Sequence, residues 1–176
     1  MPGSHIIPIV DITCFGKDVN IDTYAKNALE WAKKELVSKG SIYCPCLKNY
    51  IYLSNKKLRH TIMQKKFDQQ ENFNEDNIAV ISELEQMIQN AEVRYKTDDN
   101  KHREDILEII KLKGIVSLND ERREVELLIQ LIYDSQSDEN KYYFIIMYYY
   151  KKPPPIKVGA CSFSITAAKK PYSYKI

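Results

Sequence analysis

The chain has 176 residues, 44% of them apolar and 28% charged, a balance that excludes wholesale disorder and suits one domain with its own core. Its formal net charge of +2 is too small to imply nucleic acid by itself. No apolar stretch approaches the ~20 residues that span a bilayer, and residues 1–10 lack the charged start and apolar block of a secretory leader. A soluble, cytoplasmic protein without a membrane partner is therefore expected.

Residues 1–21 read as an irregular or strand-like lead. From 22 to 39 the apolar residues Ala25, Ala28, Leu29, Ala32 and Leu36 recur at helical spacing. Asn20 or Asp22 is suited to cap that helix and Gly40 to stop it, with Trp31 expected at the core or its edge. Two strand-like runs follow, 41–47 and 50–54, around the turn-prone Lys48-Asn49. Pro45 cannot donate to a ladder, so the first run belongs at an edge or a bulge.

Residues 55–66 hold room for a short helix, and 68–76 form a polar loop. A second helix is expected over 76–91, burying Ile78, Ile81, Leu84, Met87 or Ile88, and Ala91. Residues 93–97 look like a strand. The segment 105–116 fits either period: Ile106, Ile109, Ile110 and Leu112 suit a helix, whereas 109–116 also serves as a strand. Residues 124–133 and 141–151 are rich in Val, Ile, Leu and Tyr and flank a polar turn, which makes a long hairpin. Pro153, Pro154 and Pro155 force an extended connector to a last strand at 156–166, and 167–176 form a basic tail. The reading is one α+β domain over 22–166, its amino-terminal helices packed on a carboxy-terminal antiparallel sheet of about four strands.

The four cysteines, Cys14, Cys44, Cys46 and Cys161, are expected as buried small hydrophobes of a reducing compartment. Cys44-Pro45-Cys46 lacks the two-residue spacing of a zinc pair, so no metal and no cofactor are expected. Only five glycines occur, none in a GxGxxG or P-loop pattern, and no HExxH is present. Charge is unevenly spread. Lys48, Lys56, Lys57, Arg59, Lys65 and Lys66 run without an acid among them, and an acidic stretch over 68–92 follows. That basic run is either a solvated loop or a strip facing phosphates.

Certain positions carry a family resemblance. Tyr24-Ala25-Lys26-Asn27-Ala28-Leu29-Glu30-Trp31-Ala32 is followed by Tyr50-Ile51-Tyr52-Leu53-Ser54 and Lys57-Leu58-Arg59-His60. Met87-Ile88-Gln89-Asn90-Ala91 and the late Val/Tyr hairpin complete the set. In this order they resemble the large polyvalent protein-associated domains of phages and mobile elements, which are grouped with the barnase–EndoU–colicin–RelE-like nucleases. The resemblance spans about 22–151. It implies helices on a four-stranded antiparallel sheet and, for the superfamily's characterised members, metal-independent RNA cleavage. The glutamate–arginine–histidine trio of barnase-like enzymes and the two histidines and lysine of the EndoU pattern do not align here.

Such cleavage needs a base for the 2′-hydroxyl, an acid for the leaving oxygen and cations for the phosphorane. Of the three histidines, His5 lies in the lead and His102 in a charged turn, which leaves His60. A helix from Lys56 places Lys57 and His60 three residues apart on one side, with Arg59 beside them. The alternative for His60 is an ordinary histidine of a basic loop. Ser162, Ser164 and Thr166 alternate along the last strand, so their hydroxyls share a face. Thr166 is assigned an assisting catalytic role, and Lys56, Lys65, Ser164 and Tyr150 a nucleic-acid-binding one. Tyr142, Tyr143, Tyr148 and Tyr149 are further stacking platforms or, equally, core and surface residues of a strand. Lys96, Arg122 and Arg123 are weaker phosphate candidates. The partners implied are RNA and an immunity or phage protein; a catalytically silent interaction module is the competing function.

Overall fold

The structure is a computed structural model that describes residues 6–63, 74–99 and 103–149. In chain order its elements are β1 (Ile9–Val10), α1 (Ile21–Glu35), β2 (Ser41–Cys44), β3 (Asn49–Tyr52), α2 (Asn55–Ile62), α3 (Glu75–Ala79), α4 (Leu84–Gln89), β4 (Glu92–Thr97), β5 (Ile106–Leu118), β6 (Glu121–Asp134) and β7 (Glu139–Tyr149). The α+β class is as expected, and helices lead into the sheet. About four antiparallel strands were expected; among the described residues the sheet has seven, in the order β1-β5-β6-β7-β3-β2 with β4 also on β5, and β4–β5–β6–β7 form an antiparallel set within it. Two of the added pairings are parallel: β1 with β5, and β3 with β7.

Helix α1 follows from its sequence. Asn20 caps it, its side-chain oxygen accepting from the Thr23 N–H at 2.8 Å. Asp22 near the start and Lys33 and Lys34 near the end complement the helix dipole. Tyr24, Ala25, Ala28 and Ala32 form the buried stripe, and the three alanines allow close packing. The α-helical part ends at Glu35; Val37–Lys39 tightens into a 3₁₀ turn before Gly40, whose φ of 74° closes it. Tyr24 also ties down the lead. Its hydroxyl donates to the Ile12 carbonyl at 2.6 Å, and its ring meets buried Phe15 edge-on. Phe15 in turn touches half-buried Trp31, which sits at the core edge as expected.

The single helix expected over 76–91 is divided. Between α3 and α4 lies a 3₁₀ segment, Val80–Glu83. Ile78, Ala79, Val80 and Ile81 are all buried, more consecutive apolar residues than one α-helical stripe accommodates. Ile78, Ile81, Leu84 and Met87 recur every third residue, the period at which 3₁₀ side chains eclipse. The Ser82 hydroxyl also donates to the Ala79 carbonyl at 2.7 Å, competing with the α ladder.

The ambiguous segment becomes strand β5. Ile110, Leu112, Gly114, Val116 and Leu118 are buried while their neighbours are not, a period of two. Gly114 is where α4 crosses: a Cβ added there would stand 3.3 Å from Met87. Gly114→Val is therefore expected to destabilise the domain by about 2 kcal/mol through overpacking. The loss reads as a lower urea midpoint, partly restored by Met87→Ala.

In the β2–β3 hairpin the register pairs Cys44 with Asn49, so Pro45 lies in the connecting turn, and β2 is an edge strand. Cysteine burial differs from expectation. Cys44 is buried, but Cys14 and Cys46 are exposed because one lies in the lead's turn and the other on the hairpin tip. No helix among the described residues is long and apolar enough to cross a membrane.

Candidate functional site

Helix α2 carries the basic strip. The Ser54 hydroxyl caps it by accepting from the Lys57 N–H at 3.3 Å. Leu58, Thr61 and Ile62 are buried on the side that packs against α1 and β7. That fixes the rest: Lys57 and His60 lie half-buried along one margin, with Lys56 and Arg59 exposed. The first turn holds no acid, so Lys56 and Lys57 add their charges to the positive end of the helix dipole.

Neighbouring charge and burial both act on the strip. Burial, then the charges of Lys56 and Arg103, lower the pKa of the Lys57 amine. Partial burial, then Lys57, lowers that of the His60 imidazole, which is consequently neutral at pH 7. Arg103 comes from the approach to β5. Buried Asp99 holds it by a fork, Nε to Oδ2 at 3.0 Å and Nη2 to Oδ1 at 3.2 Å, while the Arg103 N–H donates to Oδ2 at 3.0 Å. Lys57 thus feels the charges of Lys56 and Arg103, and His60 that of Lys57. Arg103 had no sequence signal, since only folding brings its segment to α2.

Other predicted residues divide. Lys65, Tyr150, Ser164 and Thr166 lie outside the described residues, as do His5, His102, the last expected strand and the side chains of Tyr148 and Tyr149. Tyr142 packs partly against the core, and Tyr143 stands 5.6 Å from Tyr52, ring centre to ring centre. Arg122 and Lys96 are exposed, whereas Arg123 is engaged by Glu121 in an ion pair.

A second charged cluster escaped the sequence reading. Because Gly114 faces α4, Lys111 projects from the opposite side of β5. Its amine lies 3.3 Å from Oε1 of Glu126, a carboxylate only 5% exposed, and 5.0 Å over the Tyr95 ring. Arg94 Nη1 lies 3.6 Å from the same carboxylate and Arg94 also pairs with Glu124. Burial alone would lower the Lys111 pKa, but contact with Tyr95 and the Glu126 charge raise it. Two acids and two bases balance here, the pattern of a structural network.

No group of three or more potential ligands of a metal ion occurs among the described residues. A shallow cleft of about 660 Å³ lies elsewhere, between the β2–β3 turn at Pro45 and Cys46 and the α4–β4 junction at 89–93.

A family model described as large polyvalent protein-associated domain 3 matches residues 20–146. The match covers most of the positions that carried the resemblance and bears out its polyvalent-protein part. Comparison with curated proteins and with solved structures gives no match.

Proposed function

The chain belongs to the large polyvalent protein-associated domain 3 family, and on that footing we propose a metal-independent, endoribonuclease-like domain that engages RNA along α2. One observation carries the reading: His60 and Lys57 share a margin of α2, and each is shifted toward the protonation chemistry required. A neutral imidazole accepts the proton of a ribose 2′-hydroxyl, and the 2′-oxygen then attacks phosphorus. An ammonium of lowered pKa yields its proton to the departing 5′-oxygen, leaving a cyclic phosphate and a free hydroxyl. Lys56 and Arg103, with Arg59 on the exposed side, supply positive charge to the phosphorane.

The expected result is cleavage of total RNA in EDTA, reduced about 100-fold or more in His60→Ala, the scale of a lost general base. The rate should rise with pH through the His60 pKa, below the ordinary histidine value, because the base must be unprotonated. It should fall through the Lys57 pKa, below the ordinary lysine value, because the acid must be protonated. Absence of cleavage, or cleavage indifferent to His60→Ala, sinks the catalytic assignment. RNA retained in a salt-sensitive way without cleavage supports the second reading, a silent interaction module. That reading draws on exposed Tyr43 and Tyr50, whose rings lie 5.2 Å apart on the β2–β3 hairpin.

A further inference from the structure

The β2–β3 turn brings two thiols together. Cys44 ends β2, and its carbonyl accepts from the Leu47 N–H at 3.2 Å. The Pro45 carbonyl accepts from the Lys48 N–H at 3.1 Å, and Lys48 closes the turn at a φ of 51°. Pro45 pins the first corner by its fixed φ. The Cys44 and Cys46 sulfurs are left 3.4 Å apart, one buried and one exposed at the mouth of the cleft facing 89–93. A disulfide requires about 2.0 Å, so small side-chain movements close the gap.

We propose that Cys44 and Cys46 form a reversible thiol–disulfide exchange site that accepts a small aliphatic disulfide, with Cys46 attacking and Cys44 resolving. The Cys46 thiolate attacks one sulfur of the incoming disulfide; that S–S bond breaks and one small thiolate leaves. Cys44 then attacks the Cys46 sulfur of the mixed disulfide and expels the second small thiolate. Both departing thiolates take up the protons lost by the protein. Two protein thiols are oxidised to one disulfide, and one external disulfide is reduced to two thiols.

The roles follow from access. Of the two, only Cys46 is open to the incoming disulfide; Cys44 is fully buried behind it. The Cys46 S–H, then the Leu47 and Cys46 N–H groups, lower the Cys44 pKa against the opposing effect of burial. The neighbouring Cys44 sulfur and burial push the Cys46 thiol well up, against a smaller opposing pull from Lys96, so the negative charge rests on Cys44 and passes to Cys46 by proton transfer across the 3.4 Å contact as Cys46 attacks. The bond closes a very short loop, which favours an easily reduced disulfide over a structural one.

The test is to equilibrate the purified chain with reduced and oxidised glutathione, alkylate it, and weigh the tryptic peptide spanning 40–48, which contains only these two cysteines. The expected product is that peptide lighter by two hydrogens, restored by excess reduced glutathione. Cys44→Ser should accumulate the glutathione adduct on Cys46 at least about tenfold over the unaltered chain, because the resolving thiol is gone. Cys46→Ser, at an exposed position, should take up no adduct on Cys44. The proposal is overturned by a stable Cys46 adduct in the unaltered chain, by equal labelling of the two variants, or by only intermolecular disulfides. If Cys44→Ser unfolds, judged by circular dichroism, the closure product and Cys46→Ser still decide the matter.

Discussion

Tyr24→Ala is expected to lower stability by about 4 kcal/mol, in the range for emptying a buried aromatic site. Tyr24 has no exposed surface, and it makes two kinds of contact that alanine cannot. Its ring stands 5.6 Å from that of Phe15, which itself touches Trp31, so a void opens between α1 and the lead. Its hydroxyl donates to the Ile12 carbonyl at 2.6 Å. Tyr24→Phe separates the two effects. It keeps the ring and loses only the hydrogen bond, for a cost of about 1 kcal/mol. Urea unfolding of both variants supplies the check. A native domain of this size holds roughly 5–15 kcal/mol, so the alanine change should shift the midpoint far more than the phenylalanine change. Equal shifts would mean that the ring contributes nothing and that the lead packs by other means.

Lys111→Met should cost about 3 kcal/mol, the scale for leaving a buried carboxylate without its cation. Glu126 is only 5% exposed, and Lys111 provides its nearer charge at 3.3 Å; Arg94, at 3.6 Å, softens the loss without cancelling it. The companion variant Glu126→Gln in the Lys111→Met background should recover part of the stability, since no buried charge then lacks a counter-ion. Linkage gives the sign with pH. The folded Lys111 pKa is raised, so its contribution is complete below the unfolded lysine pKa and is lost only as pH climbs through the folded value, in strong alkali. Urea melts at neutral pH therefore read the full effect. If the single and double variants are equally destabilised, the pair is not coupled.

Much of the architecture was legible because local pattern and final environment agree. Ala25, Ala28 and Ala32 announce α1, and the β-branched and tyrosine-rich runs announce β6 and β7. Where a segment satisfies two periods the pattern is silent. Ile106, Ile109, Ile110 and Leu112 fit a helix as well as a strand, and only pairing with β4 and β6 selects the extended form. The division at Val80–Glu83 was hidden for the opposite reason, since the three- and four-residue spacings coincide over so short a run. Parallel pairings of β1 and β3 arise between segments far apart in the chain and leave no local trace.

The site shows the same boundary. Lys57 and His60 lie on one margin of α2, a proximity that needs only helical spacing. Arg103 and the Lys111–Glu126 pair depend on where distant strands come to rest, which no spacing rule reveals. The exposure of Cys46 likewise depends on the hairpin register, which put Pro45 in the turn and the thiol on the tip.

The parallel alliance of β3 with β7 imposes an order on how the molecule comes into being. On the ribosome β3 is made long before β7, yet Ile51 and Tyr52, paired on one side with β2, find their partners on the other side only in Tyr142 and Tyr143. The β2–β3 hairpin thus has no inner neighbour, and α2 no strand β7 beneath it, until nearly the whole domain has emerged. Meanwhile β5, β6 and β7 are contiguous and can zip together as they appear. The last of them is the keystone: its arrival seats the β2–β3 hairpin and α2.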